Sequence, residues 1–228
     1  MKVGILFSGG KDSCFAYYKI MNKAKVTCLI TVISKNPESF MFHTPNINLT
    51  KIQANLLDLP LVAVETEGKK EEELKDLEKA IKIAKDKYKI EGVVSGTVLS
   101  SYQLTRIQKI CNNLNLQHIT PLWQINQIKY MEEFITSNFK AIISGVFAYP
   151  FDEQWLGKII DKKILQELIK ISKNVGISIT GEGGEFETFV FDGPIFKKKI
   201  EIVSASKIYK EYSGVYKIEK VKIIEKSL

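Results

Sequence analysis

The sequence predicts an α/β protein in two parts: a parallel sheet covered by helices, then a smaller α+β domain. Three observations predict it. Short apolar runs alternate with helix-periodic segments from residue 2 to about residue 114. Near Pro121 that alternation stops. From Thr188 onward the chain reads almost entirely as strands. Alternation of the first kind is the signature of parallel strands joined by helical crossovers.

The elements follow in order. Residues 2–7 form a short apolar run, read as a buried strand, and 12–23 a helix. Residues 26–33 are a continuous β-branched stretch, hence a second strand. A helix over 50–57 stops near Pro60, because the residue before proline is pushed out of helical geometry. A third strand covers 61–65. In 71–90, Leu74, Leu77, Ile81, Ala84 and Tyr88 recur at helical spacing, with acids early and lysines late, as the helix dipole favours. A fourth strand over 92–95 and a helix over 101–114 complete this half. Beyond it, 118–123 and 141–147 read as strands with a helix over 129–137 between them. A helix over 160–174 is closed by Gly176. Strands are expected at 188–191, 197–204 and 215–224. A boundary near residue 118 divides the chain into 1–117 and 118–228. No stretch rich in Pro, Gly or Ser marks it, so the parts are expected to pack closely.

Composition narrows the class. The 228 residues are 45% hydrophobic and 26% charged, which excludes disorder over most of the chain. No apolar run approaches the ~20 residues of a membrane span. The opening apolar run reaches Gly9-Gly10 too soon for a secretory signal, so no membrane and a cytoplasmic location are expected. Lys and Arg exceed Asp and Glu by 33 − 26 = 7. That excess suits a polyanionic partner, and equally the Lys-rich solvated faces of many heat-adapted proteins. Cys14, Cys28 and Cys111 are far apart with no CxxC, which argues against zinc and dithiol redox chemistry.

The most informative segment is Ser8-Gly9-Gly10-Lys11-Asp12-Ser13, between the first strand and first helix. Glycines let backbone N–H groups converge on an anion, the helix N-terminus adds its positive end, and Lys11 supplies a mobile charge. It is not a Walker A loop: Gly4 falls one place wrong, and Asp12 stands where Ser or Thr is needed. The segment resembles the PP-loop of the ATP pyrophosphatases, Rossmann-like proteins of adenine nucleotide α-hydrolase-like fold that split ATP between its α and β phosphates. The resemblance implies that Ser8, Gly9, Gly10, Lys11, Asp12 and Ser13 hold the leaving pyrophosphate, with Asp12 near Mg²⁺. A carboxylate beside phosphates suits that ion.

Gly181-Glu182-Gly183-Gly184-Glu185-Phe186-Glu187-Thr188 gathers three carboxylates in a glycine-flexed segment before a strand. Such crowding costs energy unless a cation or ammonium shares it. This segment, with Asp192-Gly193-Pro194-Ile195-Phe196, is similar to the hallmark of the diphthine–ammonia ligase family. Phe40-Met41-Phe42-His43-Thr44, Ser100-Ser101-Tyr102-Gln103 through Arg106 to Cys111, Pro121-Leu122-Trp123 and Trp155-Leu156-Gly157 resemble further family segments in the expected order. Leu104 and Gln108 depart from a pattern that often has Arg and Glu there.

The resemblance implies an AMP-forming carbon–nitrogen ligase. The carboxylate of diphthine, on translation elongation factor 2, is adenylated by ATP with Mg²⁺, and free ammonia then displaces AMP. It assigns ATP to Ser8 through Ser13 with His43 and Gly96, and catalysis to Lys11, Asp12, Glu182, Glu185 and Glu187. Substrate contacts fall to Tyr102, Gln103, Arg106 and Thr188. The three glutamates would bind ammonium and accept its protons. Elongation factor 2 and ammonium are the expected partners, with no direct nucleic acid; a homodimer fits.

Plainer readings stand beside these. His43 reads equally as a partly buried structural histidine and as a nucleotide contact. His118 reads as structural, having no spaced metal partner. Arg106, one turn beyond Tyr102, either faces the ligand edge of the sheet or forms an exposed salt bridge. Trp155 reads as an anchor for packing or the domain seam, with a substrate contact as the alternative. Cys14 lies where a helix N-terminus could lower a thiol pKa, although buried packing is the better reading. The nine Lys and four Glu of 197–228 read as solvated strand faces, with docking onto an RNA-bound or acidic partner as the alternative. Two other functions stay open: a PP-loop enzyme adenylating a tRNA base, and a non-catalytic ATP-binding module.

Overall fold

The computed structural model describes residues 1–36, 45–69 and 71–226. It divides into two compact units, Met1–Trp123 and Gln124–Leu228.

The first unit is a five-stranded parallel sheet in the order β3-β2-β1-β4-β5. Its elements are β1 (Lys2–Leu6), α1 (Lys11–Ile20), β2 (Lys25–Ser34), α2 (Thr50–Leu57), β3 (Leu61–Thr66), α3 (Glu73–Tyr88), β4 (Gly92–Val94), α4 (Ser101–Asn113) and β5 (Gln117–Ile119). This is the expected Rossmann-like architecture, with helices flanking a central sheet. Cys28, Ile30 and Val32 of β2 pack with Leu77, Ile81 and Ala84 of α3 and with Ile107 and Ile110 of α4. The period-2 residues of the strand thereby meet the helical stripe read from the sequence. Strand order reverses between β1 and β4, and ligands in open α/β sheets gather at that point.

Boundaries moved where local chemistry overrode pattern. The first helix starts one residue early, at Lys11, and ends at Ile20, with Lys23 in the turn that follows. The strand expected over 118–123 is confined to Gln117–Ile119, since Pro121 offers no N–H for a ladder. That strand pairs with β4 (Val93 opposite His118), which carries the first unit on to Trp123, past the expected boundary at 118.

The second unit is an antiparallel sheet in the order β7-β6-β9-β8. It contains α5 (Gln127–Thr136), β6 (Lys140–Val146), α6 (Lys162–Val175), β7 (Phe186–Asp192), β8 (Lys199–Lys210) and β9 (Ser213–Ile224). Asn126 and Asp161 cap α5 and α6, their side-chain oxygens accepting the N–H of Lys129 at 3.0 Å and of Ile164 at 2.8 Å. Gly176, at φ +77°, ends α6 as expected. Aromatic rings fill the core. Phe134 stacks on Phe139 at 4.9 Å between centroids, and Phe151 meets Trp155 at 5.0 Å and Phe186 at 5.7 Å, edge to face. The strand expected to stop at 204 instead runs to Lys210, because the register shifts on either side of Ser204. A bulge reverses the in/out phase, and that reversal hid the strand's continuity. Among the described residues, no helix is long and apolar enough to cross a membrane.

Candidate active site

β1 delivers the chain to the sheet's carboxyl edge, and α1 departs from it one loop later. Thr31 donates to the carbonyl of Phe7 at 2.6 Å, pinning the end of the β1 segment. Gly9 takes φ +78°, in the left-handed region that favours glycine. Its carbonyl accepts from Gln53 Nε2 at 3.0 Å, and the Gln53 side chain lies where a Cβ on Gly9 would stand. Ser13 Oγ accepts the Ser8 N–H at 3.3 Å and donates to the Gly10 carbonyl at 3.1 Å, tying the loop's two ends together.

Lys11 is 2% exposed, and its ammonium lies 2.9 and 2.8 Å from the two carboxylate oxygens of Asp12. The Asp12 side chain is about a third exposed (31%), so the pair presents its acid outward and keeps its base within. Gly96, in the loop after β4, backs directly onto this turn. A Cβ there would lie 2.6 Å from the Asp12 carbonyl carbon and 2.9 Å from the Ser13 nitrogen. The loops after β1 and β4 thus bring Ser8, Gly9, Gly10, Lys11, Asp12, Ser13 and Gly96 together at the switch point. His43, the remaining expected nucleotide contact, lies outside the described residues, as does the rest of 40–44.

The same β4 loop holds a network the sequence did not signal. Ser95 Oγ lies 3.0 Å from Thr97 Oγ1 and 2.9 Å from His118 Nε2. Burial pushes the His118 imidazole down to about 4, so the ring is neutral at ordinary pH. His118 is structural, as its lone position suggested, but it props the loop that carries Gly96. Burial pushes the Cys14 thiol well up and outweighs the bond from Ser13, so the helix terminus does not activate it.

At the start of α4, the Arg106 guanidinium lies 3.4 Å from the Tyr102 ring centroid. Arg106 Nη2 donates to Glu71 Oε1 at 2.6 Å, and the Tyr102 hydroxyl donates to the same oxygen at 3.2 Å. The salt bridge weighed for Arg106 is therefore present, and Glu71, at φ +65°, is the acid that makes it. Gln103 offers its backbone N–H to Ser100 Oγ at 3.3 Å as part of the helix cap.

In the second unit, the acidic segment is more ordered than a flexed loop. β7 begins at Phe186, so Glu187 and Thr188 are strand residues opposite Gly145 and Ile143 of β6. Glu185 turns its carboxylate back into the loop. Oε1 accepts the Ser178 N–H at 2.7 Å, and Oε2 accepts the Gly183 N–H at 2.9 Å. A Cβ on Gly183 would stand 2.7 Å from Glu185 Oε1, so the absence of a side chain there leaves room for that carboxylate. Asp192 pairs with Lys226 at 2.8 Å, and Gly193 packs against Phe139, which clamps the turn after β7. Among the described residues, no group of three His, Cys, Asp or Glu side chains could hold a metal ion. A cation at the first unit's loop would then rely on Asp12 with phosphate and water oxygens, the donor set Mg²⁺ prefers.

The sequence matches the model of the diphthamide synthase N-terminal domain over residues 1–118 and that of the C-terminal domain over 126–224. The chain belongs to the diphthamide synthase family. It is 36% identical to a protein of Bos taurus named diphthine–ammonia ligase, over 91% of this chain and 85% of that one. The protein of that name from Homo sapiens is 36% identical over the same shares of the two chains. Membership places the chain among enzymes of the ligase class. A solved structure described as a predicted subunit of tRNA methyltransferase from Methanocaldococcus jannaschii is similar at 21% identity and a TM-score of 0.44. That likeness covers 85% of this chain and 98% of that one.

Proposed function

We propose that this protein joins ammonia to the carboxylate of diphthine on translation elongation factor 2, using ATP and releasing AMP and pyrophosphate. One observation carries the ATP-dependent half: the Ser8–Ser13 loop, with its helix N-terminus and buried Lys11, sits at the sheet's switch point. Gly96 packs behind it, and Gln53 holds the left-handed Gly9 from the side, so the turn is kept in shape by close backbone packing. The first turn of a helix leaves N–H groups without intrahelical acceptors, which suits a triphosphate. Membership of the family carries the identity of the acceptor.

In the first step, a carboxylate oxygen of diphthine bonds to the α-phosphorus of ATP, and the bond to the bridging oxygen breaks. Pyrophosphate departs with that electron pair. Lys11 and the amides of the first turn of α1 stabilise charge building on the leaving group. Asp12 would hold Mg²⁺, which supplies further neutralisation of phosphate charge when bound. In the second step, ammonia bonds to the acyl carbon, and the carbon–oxygen bond to AMP breaks. The proton lost from nitrogen passes to a carboxylate of the Glu182–Glu187 segment. Adenylation replaces a poor leaving group with a good one and divides a hard substitution into two easier ones. Tyr102, Gln103, Arg106 and Thr188 are the proposed substrate contacts. The reading places the protein in the cytoplasm beside its protein substrate.

The test is product analysis with ATP, Mg²⁺, ammonium and diphthine-bearing elongation factor 2, omitting each in turn. AMP and pyrophosphate formed only with the factor, together with the mass change from acid to amide, are expected. AMP formed with bulk tRNA instead would point to RNA modification. Tight ATP binding without AMP under any condition would leave a non-catalytic ATP-binding module.

A further inference from the structure

We infer that Gln127 is a positioning residue for the ammonia-handling step, and that Glu185 shapes the loop in which that step occurs rather than binding ammonium. The inference rests on the proposed function and deepens it.

Gln127 is the first residue of α5, far in sequence from the acidic segment, yet its side-chain oxygen is the hub of that segment's entry. It accepts the Thr180 N–H at 3.1 Å, the Thr180 hydroxyl at 3.1 Å and the Ser178 hydroxyl at 2.8 Å. The backbone N–H of Thr180 can only donate, so the oxygen of the Gln127 amide must face it. Ser178 Oγ, having donated to Gln127, accepts the Glu182 N–H at 3.1 Å. Gln127 therefore fixes the backbone at Glu182 through one intervening hydroxyl. From the other side, Glu185 spans the loop, one carboxylate oxygen on the Ser178 N–H and the other on the Gly183 N–H. The two side chains converge on Ser178, Gln127 taking its hydroxyl and Glu185 its amide.

This arrangement divides the labour among the three glutamates. Both oxygens of Glu185 are engaged by backbone donors inside the loop, so its charge offsets N–H dipoles. Glu182 and Glu187 lie on either side of the turn that Glu185 closes, one in the loop and one on β7. Gln127 and Glu185 hold the backbone that carries Glu182, while the pairing of β7 with β6 holds Glu187 opposite Gly145. Holding carboxylates in place before ammonia arrives is what a low-affinity, compact cation needs, because the ligand is too small to organise its own site.

The experiment compares Gln127→Leu, which removes the acceptor, with Gln127→Glu, which keeps an oxygen for the same three donors. With diphthine-bearing elongation factor 2, we expect Gln127→Leu to raise the KM for ammonium about tenfold, the factor that loss of one part-buried acceptor corresponds to. The KM for ATP should stay within about twofold of wild type, since the bonds that Gln127→Leu removes all run to Ser178 and Thr180. Gln127→Glu should recover most of the ammonium KM. Unchanged ammonium dependence in Gln127→Leu overturns the inference, and so does a parallel change in both KM values that Gln127→Glu fails to rescue. Hydrogen exchange gives an arm independent of the reaction. Faster exchange at the Thr180 and Glu182 amides in Gln127→Leu supports the hub, and wild-type protection there overturns it. Wild-type protein that forms no amide at all refutes the proposed function, and the exchange arm still decides the hub.

Discussion

Replacing Gly96 with alanine tests whether the loop after β4 holds the phosphate loop in place. The new Cβ would lie 2.6 Å from the carbonyl carbon of Asp12, 2.7 Å from its oxygen and 2.9 Å from the nitrogen of Ser13. Carbon contacts are comfortable near 3.5–4.0 Å, so the two segments must part by about 1 Å. All three obstructing atoms are backbone, and no rotamer change relieves them. Overpacking of this kind costs about 1–3 kcal/mol. In a chain of this size that lowers Tm by roughly 2–12 °C. The larger effect falls on chemistry, because moving a catalytic group by about 1 Å can cost ~10²-fold in rate. The control is Gly176→Ala, at a helix end with φ +77° and no atom within 4 Å of the added methyl. There a left-handed alanine costs about 1–2 kcal/mol through backbone strain alone. Both variants should lose comparable stability in urea titrations, while AMP formation falls about a hundredfold only in Gly96→Ala. A folded Gly96→Ala that forms AMP at the wild-type rate would refute the claim that this glycine sets the phosphate loop.

Other predictions follow from the same geometry. Lys11→Met should leave the protein folded and lower AMP formation by about 10²-fold or more, as loss of a charge-stabilising donor does; steady-state AMP release measures it. His118 should make the protein acid-sensitive. Its folded pKa of about 4 lies below the unfolded value of 6.5, so the unfolded chain alone takes up a proton between them, and stability falls as pH drops through that window. The ring is half-buried, which reduces the effect to about 1–2 kcal/mol. Urea titrations at neutral pH and near pH 4.5 should show the loss in wild type and a smaller one in His118→Gln. Arg106→Ala breaks an ion pair with an exposed acid and should cost less than about 1 kcal/mol of stability. It should nevertheless raise the KM for the protein substrate, and an unchanged KM would return Arg106 to a purely structural role.

Most of the fold was legible because most of it is local. The parallel sheet follows from β-branched runs and a 3.6-residue stripe, and helix ends follow from residues such as Asp161 and Gly176 whose side chains or conformations cap them. What escaped was non-local. The hairpin strand β8 looked shorter than it is because the register shift at Ser204 reverses its pattern. The His118–Ser95–Thr97 network was illegible because it joins neighbours in a sheet rather than in sequence.

The candidate site divides along the same line. The candidate phosphate loop could be located in the sequence, since glycines, a lysine and a helix start are contiguous there. The sequence also located the acidic segment, since three carboxylates among glycines stand out in any context. What each member touches follows from the tertiary packing. Gly96 proved to be a spacer against Asp12, Arg106 an ion-pair partner of Glu71, and Glu185 the acceptor that closes its own loop. Gln53 and Gln127 came to light only through the distant backbone they hold. Their roles are set by which donors and acceptors burial forces to meet, and the pairing of polar groups across a folded chain has no period that a sequence can display.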